Sequence, residues 1–81
     1  MKEVRVKWID SLSGDCRWTL MEDFKPSICR PITYGFVIYE DDEILSIAQT
    51  YSPEDGDAPE QFNGHITIPK CSILEMKIIN E

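Results

Sequence analysis

Val4, Val6 and Trp8 alternate with Glu3, Arg5 and Lys7, and this period of two predicts a half-buried strand over residues 3–9 with its basic side chains facing outward. The period returns in residues 32–40, where Ile32, Tyr34, Phe36 and Ile38 share one face and Thr33, Gly35, Val37 and Tyr39 the other. Rich in β-branched and aromatic residues, this stretch predicts a strand whose first face looks into the core. Asp41 and Asp42 turn the chain into a further strand at residues 44–51, so the two form a hairpin. Between Gly64 and Ile79 an apolar strand runs into Pro69, breaks and restarts, which predicts strands at 64–69 and 72–79 joined by a tight turn at 70–72. Two strand halves separated in this way fold onto different edges of one small sheet, as in short chains that close barrels. Gly35, in mid-strand, predicts the bend that closure needs.

The expected architecture is mostly β: a small five-stranded barrel with at most one short helix, its core built from Trp8, Phe36, Ile38, Ile47, Ile66, Ile68 and Met76. Two stretches interrupt the strand pattern. After a turn at Asp10, Ser11, Ser13 and Gly14 comes Thr19-x-x-Glu22, the capping-box spacing, which predicts a turn or so of helix near residues 19–24 that Pro26 limits. Ser52 to Asn63 holds two prolines, Gly56 and four acids, and reads as an irregular loop of twelve residues.

A chain of 81 residues makes one domain, residues 1–81, because so short a chain buries too little surface for a second core. Its barrel is filled by its own side chains, so any ligand sits on the surface or between subunits. The five strands leave edges that invite pairing with a copy of the chain, and a homo-oligomer is expected. The net charge of −7 repels phosphate backbones and argues against general nucleic-acid binding. The acids gather at turns, Glu40 to Glu43 and Glu54, Asp55 and Asp57, where solvated charge normally goes. Cys16, Cys29 and Cys71 are odd in number and widely spaced, which suits neither a disulfide framework nor a zinc site. With a charged start, Met-Lys-Glu-Val-Arg, and no apolar run near the roughly 20 residues of a membrane span, the sequence is read as cytoplasmic and off the membrane.

The chain is poorly supplied for catalysis. His65 is the only histidine and reads as a surface side chain, and there is no nucleophile elbow, zinc-binding histidine pair or phosphate loop. Glu54-Asp55-Gly56-Asp57 lacks the ligand alternation of a calcium loop and reads as a solvated turn, so neither a metal nor a cofactor is expected. Aromatic residues carry more information, since they supply much of both core and interface energy. Trp8 lies on the apolar face of its strand. Trp18, between Arg17 and Thr19 after a polar turn, is either a lid over the open end of the barrel or an anchor for a partner. Arg17 and Arg30, if they converge near Trp18, set cations beside an aromatic plane able to grip a nucleotide or phosphorylated signal; the plainer reading pairs them with the surplus acids. Tyr51 and Asp55, at a strand end and in the following acidic loop, complete the candidate binding set of Trp18, Arg17, Arg30, Tyr51 and Asp55.

Val6-Lys7-Trp8-Ile9-Asp10-Ser11, Trp18, Tyr34-Gly35-Phe36-Val37, Ile47-Ala48-Gln49-Thr50-Tyr51 and Ile66-Thr67-Ile68-Pro69-Lys70 with Ile73 span nearly the whole chain. In these the chain resembles small uncharacterised proteins encoded by phages and prophages. The resemblance implies a small SH3-like barrel of viral or mobile-element origin, with no assigned reaction. The expected function is that of a non-enzymatic phage or prophage accessory protein that binds a host or viral protein in the bacterial cytoplasm, using strand edges, loop ends and aromatics. The alternative is an anti-defence sponge that sequesters a small nucleotide-derived immune signal at a subunit interface.

Overall fold

The computed structural model describes residues 1–81. Five antiparallel strands form one sheet: β1 (Glu3–Trp8), β2 (Ile32–Glu40), β3 (Ile44–Ser52), β4 (Gln61–Pro69) and β5 (Ile73–Asn80), in the order β4-β3-β2-β1-β5. The only other regular elements are 3₁₀ turns at Met21–Asp23 and Lys70–Ser72. Lys70 to Ser72 falls where Pro69 ends a strand, because proline cannot donate to a ladder and its fixed φ redirects the chain. The Lys70 amide then donates to the Glu43 carbonyl at 2.7 Å and the Ile9 amide to the Ser72 carbonyl at 2.8 Å, which ties this turn to both neighbouring corners.

β4 and β5 are the sheet's two ends and are not paired with each other, so the sheet is open rather than closed. It nevertheless curls over itself. Val4, Val6 and Trp8 of β1 form one buried cluster with Leu45 and Ile47 of β3 and Ile68 of β4, although β2 lies between them in the sheet. The bend sits in β2. Its register against β3 shifts between Val37 and Tyr39, a bulge that adds local twist. Gly35 makes the approach possible, since a Cβ there would stand 2.8 Å from the Ala48 carbonyl oxygen and 3.1 Å from Ile47 Cβ.

The face assignment of β2 is therefore the reverse of the sequence expectation. Val37 packs against the core and Thr33 accepts a 3.0 Å hydrogen bond at Oγ1 from the Trp8 indole N–H. Ile32 and Tyr34 are exposed, and Phe36 and Ile38 are half-buried on the outer side. The cause is the pairing of Val6 with Thr33 and of Val4 with Gly35, which puts those residues on the side of the buried valines. Met76, expected in the core, lies opposite Val6 but on the terminal strand and stays 37% exposed. Trp8, Ile47 and Ile68 are buried and Ile66 is partly buried against them, as expected.

The expected long loop after Tyr51 is shorter than its composition implies. β3 runs through Ser52 and β4 begins at Gln61, paired as Thr50 with Asn63, Tyr51 with Phe62 and Ser52 with Gln61. Gly64, placed at a strand start by its sequence, sits within β4 at φ +67°, where a Cβ would meet Gln49 Oε1 at 2.7 Å. β2 pairs with β3 only as far as Ala48, so the outer part of the β3–β4 hairpin extends beyond the sheet.

Leu45→Ala is expected to lower stability by about 2–5 kcal/mol, because it empties a fully buried site in a very small core. Gly35→Ala should cost roughly 1–3 kcal/mol through its clash with a backbone carbonyl that cannot turn away. Denaturant melts check both, and a Gly35→Ala protein as stable as the parent would remove the bend as the device that brings β1 onto β3.

Candidate functional site

Between β1 and β2 the chain leaves the sheet, and all 21 residues from Asp10 to Arg30 are exposed. Asp10 and Cys29 close this arm at its base, with amide-to-carbonyl bonds of 2.9 and 3.1 Å, and the Trp8 amide donates to the Pro31 carbonyl at 3.1 Å. Beyond that base every hydrogen bond is local: Ser11 N–H to Asp10 Oδ1, Arg17 N–H to Asp15 Oδ1, Asp23 N–H to the Leu20 carbonyl and Phe24 N–H to the Met21 carbonyl. The predicted helix reduces to the 3₁₀ turn at Met21–Asp23, flanked by Leu20 with no side-chain cap, so the Thr19–Glu22 capping box does not form. One turn is too short to nucleate a helix without packing, and nothing packs on it.

The arm is polar in composition yet studded with apolar side chains. Trp18 is 102% exposed and Met21 88%, with Leu12, Leu20, Phe24 and Ile28 between 44% and 64%. Trp18 is thus no lid on the core. Burying a tryptophan removes about 150–250 Å² from water, worth roughly 4–6 kcal/mol, and here that driving force is unspent. Leu20, Met21 and Phe24 were not singled out in the sequence; the available signal was an aperiodic apolar run held between polar turns and Pro26.

The other candidate residues are distributed. Arg17 Nε lies 3.5 Å from Asp15 Oδ2, the plain pairing with a nearby acid. Arg30 is exposed at the foot of the arm and makes no ion pair. Tyr51 and Asp55 belong to the β3–β4 hairpin: Asp55 pairs with Ala58 across its tip, and the Tyr51 hydroxyl donates to Glu60 Oε2. That bond raises the Tyr51 pKa. The Tyr51 ring lies 5.8 Å from Phe36 and borders an open groove of about 350 Å³ with Met1, Ile38, Glu60, Gln61 and Phe62. The Phe62 ring meets His65 edge-on at 5.9 Å. No hydrogen bond or ion pair joins Arg17, Trp18 or Arg30 to Tyr51 or Asp55.

The charged cluster with the most structure is at the β2–β3 turn. The Ile44 and Glu43 amides donate to Asp41 Oδ1 at 2.9 and 2.8 Å, and the Tyr39 hydroxyl donates to Asp41 Oδ2 at 2.9 Å. These bonds favour the ionised carboxylate and hold Asp41 below the ordinary carboxyl range, while the same bond raises Tyr39. Glu40 is lowered chiefly by its hydrogen bond to Lys70, 2.8 Å away, with Lys2 at 3.5 Å adding to it against some desolvation. This cluster fastens the turn to the neighbouring β4 end. It has no histidine, and the open groove of about 260 Å³ that Glu40 and Lys70 border is otherwise lined by Ile73 and Met76.

Compared with protein-family models, with curated proteins and with solved structures, the chain matches none of them.

Because Asp41 and Glu40 titrate lower in the folded chain than in the unfolded one, the stability they provide is complete above the ordinary carboxyl range and is lost as pH falls through their folded values. Melting temperature is therefore expected to hold from neutral pH to about 5 and to fall below about 4, with a shallower fall in Asp41→Asn. Trp18→Ala should change stability by no more than about 0.5 kcal/mol. It should also remove the acrylamide-quenchable part of the tryptophan fluorescence, leaving the shielded signal of Trp8.

Proposed function

We propose that this protein is a non-enzymatic binding protein, an SH3-like barrel of phage or prophage type, which acts on a host or viral protein and grips it with the arm between β1 and β2. The observation that carries the reading is the arm itself: 21 consecutive exposed residues presenting Trp18, Leu20, Met21 and Phe24 to water. Exposed apolar groups concentrated on one segment favour a protein partner, since tryptophan anchors supply much of the energy of protein interfaces. The arm's lack of bonds to the sheet suits a segment that takes its final shape on its target.

The barrel part of the reading is supported by strand order. A meander in which β5 returns to β1, with a long excursion after β1 and a 3₁₀ turn before β5, is the arrangement of an SH3-like barrel, and the curl at Gly35 brings its two halves face to face. The nucleotide-sponge alternative needs cations gathered at an aromatic plane. Arg17 is already paired with Asp15, which leaves that alternative without its cluster.

The test is affinity capture from a bacterial lysate by the full chain, by Trp18→Ala and by a Trp18→Ala/Met21→Ala pair. The parent is expected to retain a defined protein that the single variant holds at least tenfold less well and the pair loses, while circular dichroism and melting temperature stay within experimental spread. Equal retention by all three would overturn the arm as the gripping element.

A further inference from the structure

β5 is paired with β1 along one edge and with nothing along the other. Natural sheets blunt such an edge with proline, a very short strand, an inward-pointing charge or edge charges, lysine above all, and here the one lysine, Lys77, has Glu75 two residues away to offset it. β5 has eight residues and no proline, and every residue from Leu74 to Asn80 is exposed. Leu74 and Ile78 are 50% and 51% exposed.

The order of side chains along this edge gives it a specific occupant. Leu74-Glu75-Met76-Lys77-Ile78 is self-complementary about its centre: an acid and a base at mirror positions, flanked by two aliphatic residues. Laid antiparallel on a copy of itself about a two-fold axis through Met76, the strand puts Glu75 opposite Lys77 of the second copy, Lys77 opposite Glu75, and Leu74 opposite Ile78. Opposite charges and paired aliphatics are the cross-strand combinations that sheets favour. Within one chain Lys77 is poorly served. Its cross-strand neighbour is Arg5, a like charge, and Arg5 holds Glu75 at 3.0 Å while Lys77 makes no ion pair.

Surface area points the same way. The chain exposes 6555 Å², whereas a compact protein of its mass, 9.4 kDa, exposes about 5,000 Å². The excess of about 1,500 Å² per chain is larger than the roughly 800 Å² per partner that a standard interface buries.

We propose that β5 is a homodimer interface: two copies pair antiparallel about Met76 and join their sheets into one continuous ten-stranded sheet, with two Glu75–Lys77 contacts setting the register. The contact is isologous and closes after two chains, so it consumes the free edge without propagating.

Sedimentation of the full chain over a concentration series tests this, using Glu75→Lys, Lys77→Glu, the double exchange and Trp18→Ala. The parent should dimerise. Each single variant faces two like-charge pairs and should dissociate at least tenfold more readily. The double exchange restores both pairs and should recover the dimer. An equimolar mixture of the two single variants should form a heterodimer, since every lysine then faces a glutamate. This mixing result also shows that both variants are folded. Trp18→Ala should dimerise like the parent. A parent that remains monomeric at hundreds of micromolar overturns the proposal, as do single variants that dimerise normally or a mixture that does not associate. So does loss of the dimer in Trp18→Ala alone, which would place the second copy on the arm.

Discussion

Val4, Val6 and Trp8 are separated from Leu45, Ile47 and Ile68 by an intervening strand, and they meet only because β2 folds the sheet over at Gly35 and at the bulge around Ile38. A flat sheet of these strands would leave one apolar face against water on every strand. Curling turns that face on itself, so that one layer does the work of two. The remaining features depend on the fold-over. The Lys70–Ser72 turn must reach back to Glu43 and Ile9, and Thr33 must come under the Trp8 indole, for the bend to hold.

So small a core explains the division of the molecule. Eight of the 81 residues are buried, and the molecule measures 61 × 25 × 20 Å with a radius of gyration of 17.1 Å, where a compact chain of this length has about 12 Å. The core is spent on holding the sheet, while a comparable number of large apolar side chains are placed on the arm and along β5, outside any enclosure. The apolar residues outside the core are thus concentrated on segments that leave them exposed.

The strand positions were legible in the sequence because period-two alternation and Pro69 mark them independently of tertiary context. All five strands lie where alternation (β1, β2), the Asp41–Asp42 turn (β3) and the break at Pro69 (β4, β5) put them, with β4 beginning three residues earlier than expected. The inward face of β2 was not legible, since hydrophobicity favours the face of Ile32, Tyr34, Phe36 and Ile38 and the structure turns the other face inward. The choice is made by register: pairing with β1 puts Thr33 and Gly35 beside the valines, where the Thr33 hydroxyl satisfies the Trp8 N–H. Trp18 illustrates a different limit. It stood out by residue type, but whether an indole ends inside or outside depends on whether the chain around it returns to the sheet, and nothing in Ser11 to Ile28 encodes a periodicity that would bring it back.

The paired Asp10 and Cys29 at the foot of the arm make its two ends neighbours. A segment that leaves and re-enters a scaffold at one point is thermodynamically almost detached from it, because closing a longer or shorter loop across the same gap changes the entropy cost only by about 0.6 kcal/mol per doubling of length. Residues 11–28 can therefore lengthen, shorten or exchange their side chains at little cost to folding, while the strand residues that build the core cannot. The architecture keeps the two parts independent, so the arm can be rewritten without the sheet having to be rebuilt around it.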